Sequence, residues 1–286
     1  MNNRLLILGA SGMLGNALLR YFSAKGFFQV YASARDYGSL GNIASVLNCK
    51  MIAGVDAENP FDLQRVFDLA QPDLVLNCVG VVKQLDEADD ALVSIPLNSL
   101  LPHRLAELCV DAGSRLIHFS TDCVFSGKKG CYLESDIPDA TDLYGRSKLL
   151  GEVDYENAIT LRTSLIGHEL RGARSLVNWF LAQEGSVRGF TRAIFSGLPT
   201  VEIARFIEQY VLPNSELHGV YHLSADPISK HDLLSIVKHV YGKQIEIIPD
   251  DSFVIDRSLD STHLRQVTGF KPKSWPELVQ AMHDFG

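Results

Sequence analysis

The stretch RLLILGASGMLG, residues 4–15, is the feature that most constrains the fold of this chain. Its apolar run, residues 5–8, predicts a strand that is buried on both faces of a parallel sheet. Three glycines follow at the spacing G-x-x-G-x-x-G, and a helical pattern begins at Met13. Strand, glycine turn and helix in this order are the context in which such a motif binds a dinucleotide. We therefore predict an α/β fold with a Rossmann-type parallel sheet flanked by helices.

The three glycines have different roles in the predicted cofactor site. Gly9 allows the tight turn, Gly12 lets backbone N–H groups approach a pyrophosphate at the helix N-terminus, and Gly15 lets helix and sheet pack closely. The alternative is a glycine-rich turn that binds no ligand. The cofactor contacts predicted in this stretch are Gly9, Ser11, Gly12, Met13, Leu14 and Gly15.

The residues after the second predicted strand, near residues 28–32, indicate which cofactor is bound. An acidic side chain at this point binds a ribose 2′-hydroxyl, whereas an arginine or a serine accommodates a 2′-phosphate. Ser33 and Arg35 therefore favour NADPH, and Asp36 directly after the arginine leaves NADH open. The alternative for Arg35 is a solvated loop charge.

Further strands are predicted at residues 51–55, 74–79, 116–119 and 159–162. Ligands of open α/β sheets bind at the carboxyl ends of the strands, so polar and small residues there are candidate cofactor contacts. These candidates are Asp56, Asn77, Val79 and Gly80. Asn77 is equally well explained as a strand-end cap.

Polar residues near the fourth strand are further candidates. Lys83 and Gln84 follow it directly and are candidates for contacting the nicotinamide or the substrate, with a surface loop as the alternative. Asn98 lies in the long helical region 88–112 and is a candidate for ordering a water near the site.

A second motif, TDLYGRSKLLGE, occupies residues 141–152. Tyr144 and Lys148 are four residues apart, so they share one face of a predicted helix that Thr141 or Asp142 can cap. An ammonium one turn from a phenol favours the phenolate, and a phenol with a pKa nearer neutrality is a better general acid. For this spacing alone, the alternative is an ordinary surface pair.

The triplet Ser120-Thr121-Asp122 follows the strand predicted at residues 116–119. A hydroxyl beside the tyrosine can hydrogen-bond a substrate carbonyl oxygen, and two donors stabilise the oxyanion character that develops during hydride transfer. The alternative is a helix cap or a turn. The glycine turn, this triplet and the Y-x-x-x-K spacing are much less expected together by chance than any one alone.

Composition excludes several other classes of protein. The chain has 286 residues and a net charge of -8, which argues against a nucleic-acid binder with a basic face. No apolar run reaches the roughly 18 residues of a membrane helix, and the N-terminus does not resemble a signal peptide. The five cysteines are odd in number and lack C-x-x-C spacing, so we interpret them as reduced cytosolic thiols. The nine histidines form no H-E-x-x-H cluster, and we predict no catalytic metal.

The residues GASGMLG, LNCVG, STDCVFSG and YGRSKLLGE, with LRTS at residues 161–164, resemble the extended short-chain dehydrogenase/reductase superfamily. Within it, the chain is most similar to dTDP-4-dehydrorhamnose reductase and its relatives in surface-polysaccharide biosynthesis. The resemblance implies an NAD(P)-binding Rossmann domain over residues 1–163 and a mainly substrate-binding domain over residues 164–286, with a strand near 219–224 returning to the Rossmann sheet. It also implies a cytoplasmic enzyme, compatible with a homodimer, that reduces the 4-keto group of a nucleotide-activated 4-keto-6-deoxy sugar with NADPH or NADH.

The resemblance also implies roles for single residues. It makes Tyr144 the proton donor, Thr121 the hydroxyl that binds the carbonyl, and Lys148 the group that holds the nicotinamide ribose and tunes Tyr144. The predicted substrate contacts are Lys83, Asp122, Cys123, Asn178, Arg192 and Arg257. Asn178 and Arg192 come from a stretch rich in arginine and aromatic residues, for which ordinary loop charge is the alternative.

The chain departs from these relatives at positions that face the sugar nucleotide. Cys123 stands where an aromatic residue is frequent, and Leu165-Ile166-Gly167 replaces a Trp–Val–Tyr-like stretch. These departures leave the nucleotide and the sugar open.

Two other functions remain as alternatives. One is an NAD-dependent sugar-nucleotide epimerase or dehydratase, which shares the tyrosine. A 4,6-dehydratase usually has an added acidic pair, and Asp122-Cys123 supplies one carboxylate. The other is a non-catalytic regulatory subunit that keeps the fold, as in the beta subunit of methionine adenosyltransferase.

Overall fold

A computed structural model describes residues 3–36, 38, 47–83 and 86–286 of the chain. Contacts divide the chain into two compact units. The first unit contains Met1–Ser120, Thr141–Leu161 and Asn214–Val220, and the second contains Thr121–Ala140, Arg162–Pro213 and Tyr221–Gly286. The domain boundary after residue 163 stays a prediction; in the contact division, residues 121–140 belong with the later part of the chain.

Fourteen strands are defined in the described part of the chain. In chain order they are β1 (Asn3–Leu8), β2 (Phe28–Ser33), β3 (Cys49–Ile52), β4 (Leu74–Asn77), β5 (Arg115–Thr121), β6 (Ala158–Thr163), β7 (Leu165–Ile166), β8 (Ser186–Phe190), β9 (Ala193–Phe195), β10 (Leu198–Pro199), β11 (Gly219–His222), β12 (Ile228–Ser229), β13 (Glu246–Asp250) and β14 (Ile255–Asp256).

The same part of the chain contains ten α-helices. In chain order they are α1 (Met13–Lys25), α2 (Pro60–Ala70), α3 (Ala91–Ser94), α4 (Leu101–Ala112), α5 (Leu143–Leu150), α6 (Leu176–Ala182), α7 (Thr200–Phe206), α8 (Lys230–Val240), α9 (Thr262–Thr268) and α10 (Trp275–Phe285). Two π-helical turns extend them: Ile95–Leu100 joins α3 to α4, and Ile207–Val211 continues α7. None of these described helices has the length and apolar character required to cross a bilayer.

A seven-stranded sheet with the order β11-β6-β5-β4-β1-β2-β3 confirms the predicted Rossmann-type architecture. The pairs β3 with β2, β2 with β1, β1 with β4, and β4 with β5 are all parallel. The strand order reverses between β1 and β4, and ligands of doubly wound sheets bind at such a reversal. The predicted return of a strand near residue 219 to this sheet corresponds to β11.

The core of the first unit follows from the apolar strands that the sequence predicts. Leu5 to Leu8 of β1 are almost fully buried, and side chains of β4, β5, α2 and α4 pack in the same unit. Two strands are shorter than predicted: β3 ends at Ile52 and β4 ends at Asn77. Val79 therefore lies beyond β4, and Asp56 lies beyond β3 as predicted.

The second unit contains three small sheets. β12, β9 and β14 form a three-stranded sheet in that order, β13 pairs with β8, and β10 pairs with β7. β12 runs antiparallel to β9, whereas β14 runs parallel to it. This three-stranded sheet aligns the chain segments that precede Lys230 and Arg257.

Candidate functional site

The glycine turn between β1 and α1 is fixed by close backbone packing at two of its three glycines. Gly9 has φ +77°, and a Cβ there would lie 2.9 Å from the carbonyl carbon and oxygen of Cys78. A Cβ at Gly15 would lie 2.2 Å from the carbonyl oxygen of Gly9. Neither position accommodates a side chain, as the glycine motif predicts.

Gly12 is different, because packing within the protein does not require a glycine there. The nearest atom to a Cβ at Gly12 would be 3.5 Å away, an ordinary contact. Gly12 is exposed and is the N-cap of α1, with no side-chain cap on the helix N–H groups. An open helix N-terminus of this kind suits a phosphate, so the turn fits the pyrophosphate of a dinucleotide.

The other predicted cofactor contacts of the turn differ in how exposed their side chains are. Ser11 and Met13 are partly exposed, whereas Leu14 is buried. At the end of β2, Ser33 is 2% exposed, and its backbone carbonyl accepts a hydrogen bond from Ala10 N at 3.0 Å. Its hydroxyl therefore does not face solvent.

Arg35 is the exposed member of the predicted pair that favours NADPH. Arg35 and Asp36 both lie at the surface just beyond β2. Asp56 is also exposed, and its Oδ1 accepts a hydrogen bond from Glu58 N at 3.0 Å. Contact of Asp56 with the adenine stays a prediction.

The side chain of Asn77 is buried and caps the end of β4. Its Oδ1 accepts from Val79 N at 3.1 Å, and its Nδ2 lies 3.1 Å from His118 Nδ1. Because an amide nitrogen only donates, His118 Nδ1 accepts and its Nε2 carries the proton. Burial holds the pKa of His118 well below its ordinary value, with Lys148 and His103 adding to the effect. These bonds support the strand-end cap, the alternative explanation of Asn77.

Asn98 fastens the loop after β4 to helix α5. Its Oδ1 accepts from Val81 N at 2.9 Å, and its Nδ2 donates to Val81 O at 3.3 Å and to Ser147 Oγ at 3.2 Å. Ser99 Oγ adds a bond to the Ser147 carbonyl at 2.8 Å. Asn98 is 0% exposed, so its amide is a structural connection between the loop and the helix.

Asp142 caps the N-terminus of α5, as the sequence predicts. Its Oδ1 accepts from Gly145 N at 2.8 Å. Its other oxygen accepts from Lys83 Nζ at 2.8 Å, in an exposed ion pair. Lys83 therefore contacts the helix cap in this structure, and its role toward a substrate stays a prediction. Gln84 lies outside the described residues.

Lys148 is buried at the carboxyl end of β5. Its Nζ donates to the Phe119 carbonyl at 2.7 Å, and a Cβ at Gly80 would lie 3.9 Å from the same Nζ. Burial lowers the pKa of Lys148 to about 8, and the charge of Glu152 opposes this shift. Tyr144 lies one turn earlier on the same helix, partly buried. The helix thus carries the phenol one turn before the ammonium, and the ammonium contacts the end of β5.

Glu152 is a residue of this region that the sequence did not indicate. Its Oε1 accepts a hydrogen bond from Ser120 Oγ at 2.6 Å. It is also the carboxylate that favours the charged form of Lys148. It lies just beyond the C-terminus of α5, which ends at Leu150, so the helical spacing from Lys148 gives no signal for it.

Thr121, Asp122 and Cys123 form a short hydrogen-bonded turn in the second unit. Thr121 Oγ1 accepts from Cys123 N at 3.1 Å and donates to Asp122 Oδ1 at 3.2 Å. Burial raises the pKa of Asp122, and the charges of Arg257 and Lys230 oppose that rise together with hydrogen bonds from Cys123 and Thr121. Three predicted substrate contacts, Asp122, Cys123 and Arg257, therefore interact electrostatically with Lys230, which the sequence did not indicate.

Asn178 and Arg192 are also predicted substrate contacts, but the Asn178 side chain bonds its own loop and the Arg192 side chain is exposed. The Asn178 amide accepts from Glu169 N at 3.2 Å and donates to Gly172 O at 3.3 Å, so it binds its own loop. Arg192 has an exposed side chain, and its backbone carbonyl accepts from Ile255 N at 3.1 Å. Their contact with a substrate stays a prediction.

Comparison with known proteins adds independent findings. The model of the family described as RmlD substrate binding domain matches residues 3–285. A dTDP-4-dehydrorhamnose reductase of Aggregatibacter actinomycetemcomitans is 25% identical, covering 97% of this chain and 97% of the relative. A probable low-salt glycan biosynthesis reductase of Haloferax volcanii is 32% identical, covering 88% of this chain and 83% of the relative. The methionine adenosyltransferase 2 subunit beta of Danio rerio is 27% identical, covering 84% of this chain and 74% of the relative.

Solved structures share the fold over nearly the whole chain. A dTDP-4-dehydrorhamnose reductase of Bacillus anthracis in complex with NADP superposes with a TM-score of 0.81, at 20% identity and 99% coverage of both chains. The Bordetella bronchiseptica enzyme WbmG in complex with NAD and UDP gives a TM-score of 0.78 at 19% identity, covering 100% of this chain and 95% of that structure.

The hydrogen bonds of Asn98 lead to a prediction about stability. Asn98→Ala leaves the N–H and carbonyl of Val81 without their amide partners, and a buried unsatisfied group costs about 1–3 kcal/mol. We expect the free energy of unfolding to fall by about 3 kcal/mol in urea denaturation. Ser99→Ala, which removes a single bond to the same helix, is the matched control and should cost about 1 kcal/mol. Equal losses of unfolding free energy in the two variants would contradict the conclusion that the Asn98 amide holds the loop against α5.

Proposed function

The chain belongs to the family described as RmlD substrate binding domain, and we propose that it is a reductase of a nucleotide-activated 4-keto-6-deoxy sugar. The reductant is NADPH, with NADH as a second donor. One observation carries the proposal: the Lys148 ammonium is buried against the carboxyl end of β5 and close to Gly80, on the same helix as Tyr144. An ammonium one helical turn from a phenol favours ionisation of the phenol, which suits a proton donor in hydride transfer to a carbonyl.

In the proposed mechanism, the protein residues bind the carbonyl and supply the proton. A bound nicotinamide cofactor supplies the hydride that C4 receives. Tyr144 protonates the developing alkoxide oxygen, and the Thr121 hydroxyl donates a second hydrogen bond to it. The Lys148 ammonium favours the ionised form of Tyr144 and so makes the phenol a stronger acid. The glycine turn and the open N-terminus of α1 hold the pyrophosphate of the cofactor.

The comparisons support this reaction class. The relatives from Aggregatibacter and Haloferax are both named as reductases, and the Bacillus structure is a complex with NADP. Exposed Arg35 suits the 2′-phosphate of NADPH. The nucleotide and the configuration at C4 are left open by Cys123 and by the stretch 165–167, where this chain departs from its relatives.

Two competing functions have specific support. WbmG binds NAD and UDP, which favours an NAD-dependent epimerase or dehydratase. Purified protein that carries tightly bound NAD and consumes no NADPH would indicate an epimerase or dehydratase. The likeness to the methionine adenosyltransferase subunit favours a regulatory subunit, which would oxidise no NADPH with any keto sugar. Thr121, Tyr144 and Lys148 together argue against it.

We also propose a cytoplasmic homodimer. The five cysteines form no disulfide, as is typical of a reducing compartment. Leu92, Ile95 and Leu150 of the first unit are exposed apolar side chains, and a second copy of the chain would cover them. Sedimentation at the monomer mass of 31.6 kDa would contradict the dimer.

The role of Tyr144 is tested by removing its hydroxyl. With a panel of 4-keto-6-deoxy sugar nucleotides, we expect NADPH oxidation by the native protein. Tyr144→Phe should lower turnover by roughly 10²–10⁴, the usual contribution of general acid catalysis. Tyr155→Phe is the matched control, because Tyr155 is half-exposed and bonds His103 instead. An unchanged rate in Tyr144→Phe would remove that residue from the mechanism.

The pH dependence of the reaction should follow Lys148. Its pKa in the fold is about 8, so the ammonium is lost as pH rises through this value, and kcat/KM should fall with it. In the unfolded chain the proton is held to higher pH, so this deprotonation favours the folded state above pH 8 and the lost activity is not unfolding. Lys148→Arg, which stays charged, should remove the alkaline limb, whereas Lys83→Arg should keep it. A native profile flat to pH 10 would contradict the assignment.

Cofactor preference should depend on Arg35. Arg35→Ala removes a charge-assisted contact with the 2′-phosphate, so KM for NADPH should rise by about 10- to 100-fold while KM for NADH changes little. Arg65→Ala is the matched control, since Arg65 lies on α2 and pairs with Asp62. Steady-state kinetics with both cofactors make the comparison. An equal rise in KM for NADPH and for NADH would show that Arg35 does not bind the 2′-phosphate.

A further inference from the structure

Two hydrogen bonds connect the carboxyl end of β5 with the C-terminal end of α5, and they involve consecutive residues of the strand. Lys148 Nζ donates to the Phe119 carbonyl at 2.7 Å, and Ser120 Oγ donates to Glu152 Oε1 at 2.6 Å. Lys148 lies in the last turn of α5, and Glu152 follows just beyond the end of that helix. The two bonds therefore close a ring that consists of the helix end and the peptide group between Phe119 and Ser120.

The backbone is held in place on both sides of Glu152. A Cβ at Gly151 would lie 1.9 Å from the carbonyl oxygen of Asn98, so the chain leaves α5 in close contact with the π-helical turn before α4. After Glu152, the hydroxyl of Thr160 on β6 accepts from Val153 N at 3.0 Å and donates to Val153 O at 2.7 Å. Thr160 is buried. The Glu152 carboxylate is therefore attached to a segment that cannot shift without losing buried contacts.

The bond to Glu152 restricts the strand end as well as the helix end. Side chains of neighbouring strand residues point to opposite faces of a sheet, so the Ser120 hydroxyl points to the face that carries α5. Ser120 is buried, and a hydrogen bond to an ionised acceptor is stronger than a neutral one. With Ser120 held in this way, the peptide group before it cannot rotate freely. Its carbonyl oxygen, which belongs to Phe119, stays directed at Lys148 Nζ.

Glu152 also brings a negative charge to this region. That charge favours the ammonium form of Lys148. Two other titratable groups interact with Lys148, the thiol of Cys78 and the imidazole of His118. Burial raises the pKa of the Cys78 thiol and holds the pKa of His118 well below its ordinary value, so both groups are uncharged near pH 7.

We propose that Glu152 is a positioning residue for Lys148. Through its hydrogen bond with Ser120, it holds the end of β5, so that the Phe119 carbonyl stays directed at the ammonium. This inference rests on the proposed function, in which Lys148 makes Tyr144 a stronger acid. The role requires no contact between Glu152 and the sugar or the cofactor.

The ionisation of Lys148 provides a test that does not depend on activity. Carbon-13 NMR of protein labelled at the lysine Cε atoms follows each titration, and Lys148→Arg identifies the Lys148 resonance. Glu152→Gln keeps an acceptor for the Ser120 hydroxyl but removes the charge, so the Lys148 midpoint should move to lower pH. Ser120→Ala keeps the charge but frees the strand end. It should move the midpoint in the same direction, because the ammonium loses a directed carbonyl.

Asp154→Asn is the matched control for the loss of charge. Asp154 is an exposed carboxylate two residues after Glu152, and its replacement should leave the Lys148 midpoint at the native value. Thermal unfolding curves show whether each variant is folded. Glu152→Gln is close in shape to the native side chain, so it keeps the test available if Ser120→Ala folds poorly.

Kinetics test the effect on the reaction. Ser120→Ala should lower kcat by about tenfold, the effect of one lost hydrogen bond, with KM for the sugar nucleotide nearly unchanged. Glu152→Ala should cause a similar loss, and Glu152→Gln should recover part of it because the amide oxygen still accepts from Ser120. The double variant with alanine at both positions should lose no more than either single variant, since both changes remove the same bond.

Two results would overturn the inference: a Lys148 midpoint that fails to fall in either Glu152→Gln or Ser120→Ala, or losses of kcat that simply add in the double variant. Failure of the proposed function is distinguishable from both. In that case the native protein reduces no keto sugar, while the lysine titration still reports whether the bond between Ser120 and Glu152 acts on Lys148.

Discussion

The hydrogen bond from Lys148 Nζ to the Phe119 carbonyl is the interaction on which the proposed chemistry depends. At 2.7 Å it holds a buried cation at the carboxyl end of β5. Burial makes that charge costly, and Glu152 is the group that most offsets the cost. The same bond fixes helix α5, and with it Tyr144, against the sheet. The strand end is therefore a structural anchor for the helix that carries the proposed proton donor.

The loops around this anchor are held by side-chain amides. Asn77 and Asn98 each bond backbone groups of the segment that includes Gly80, and Asn98 also reaches Ser147 on α5. These bonds satisfy backbone groups of the loop, which in a low-dielectric interior makes its geometry rigid. Rigid placement matters here because donors that are already oriented need no reorganisation as charge develops on the carbonyl oxygen.

Much of the fold was predictable, because its signals are local in sequence. The apolar run before Gly9 and the spacing of Tyr144 and Lys148 depend only on strand and helix periodicity. What could not be predicted depends on distant contacts: Asn98 bonds a residue 49 positions away, and the charges of Lys230 and Asp122, from distant parts of the chain, affect each other. Exposure was also unpredictable at single residues, since Ser33 is buried while Arg35 is not.

The proposed reaction transfers hydride from the cofactor to C4 of a keto sugar. It can be followed with NADPH that carries deuterium at C4 of the nicotinamide, on one face at a time, and with proton NMR of the sugar product. We expect one of the two labelled cofactors to place deuterium at C4 of the sugar and the other to leave protium there. Product without deuterium from either cofactor, or no product at all, would contradict it.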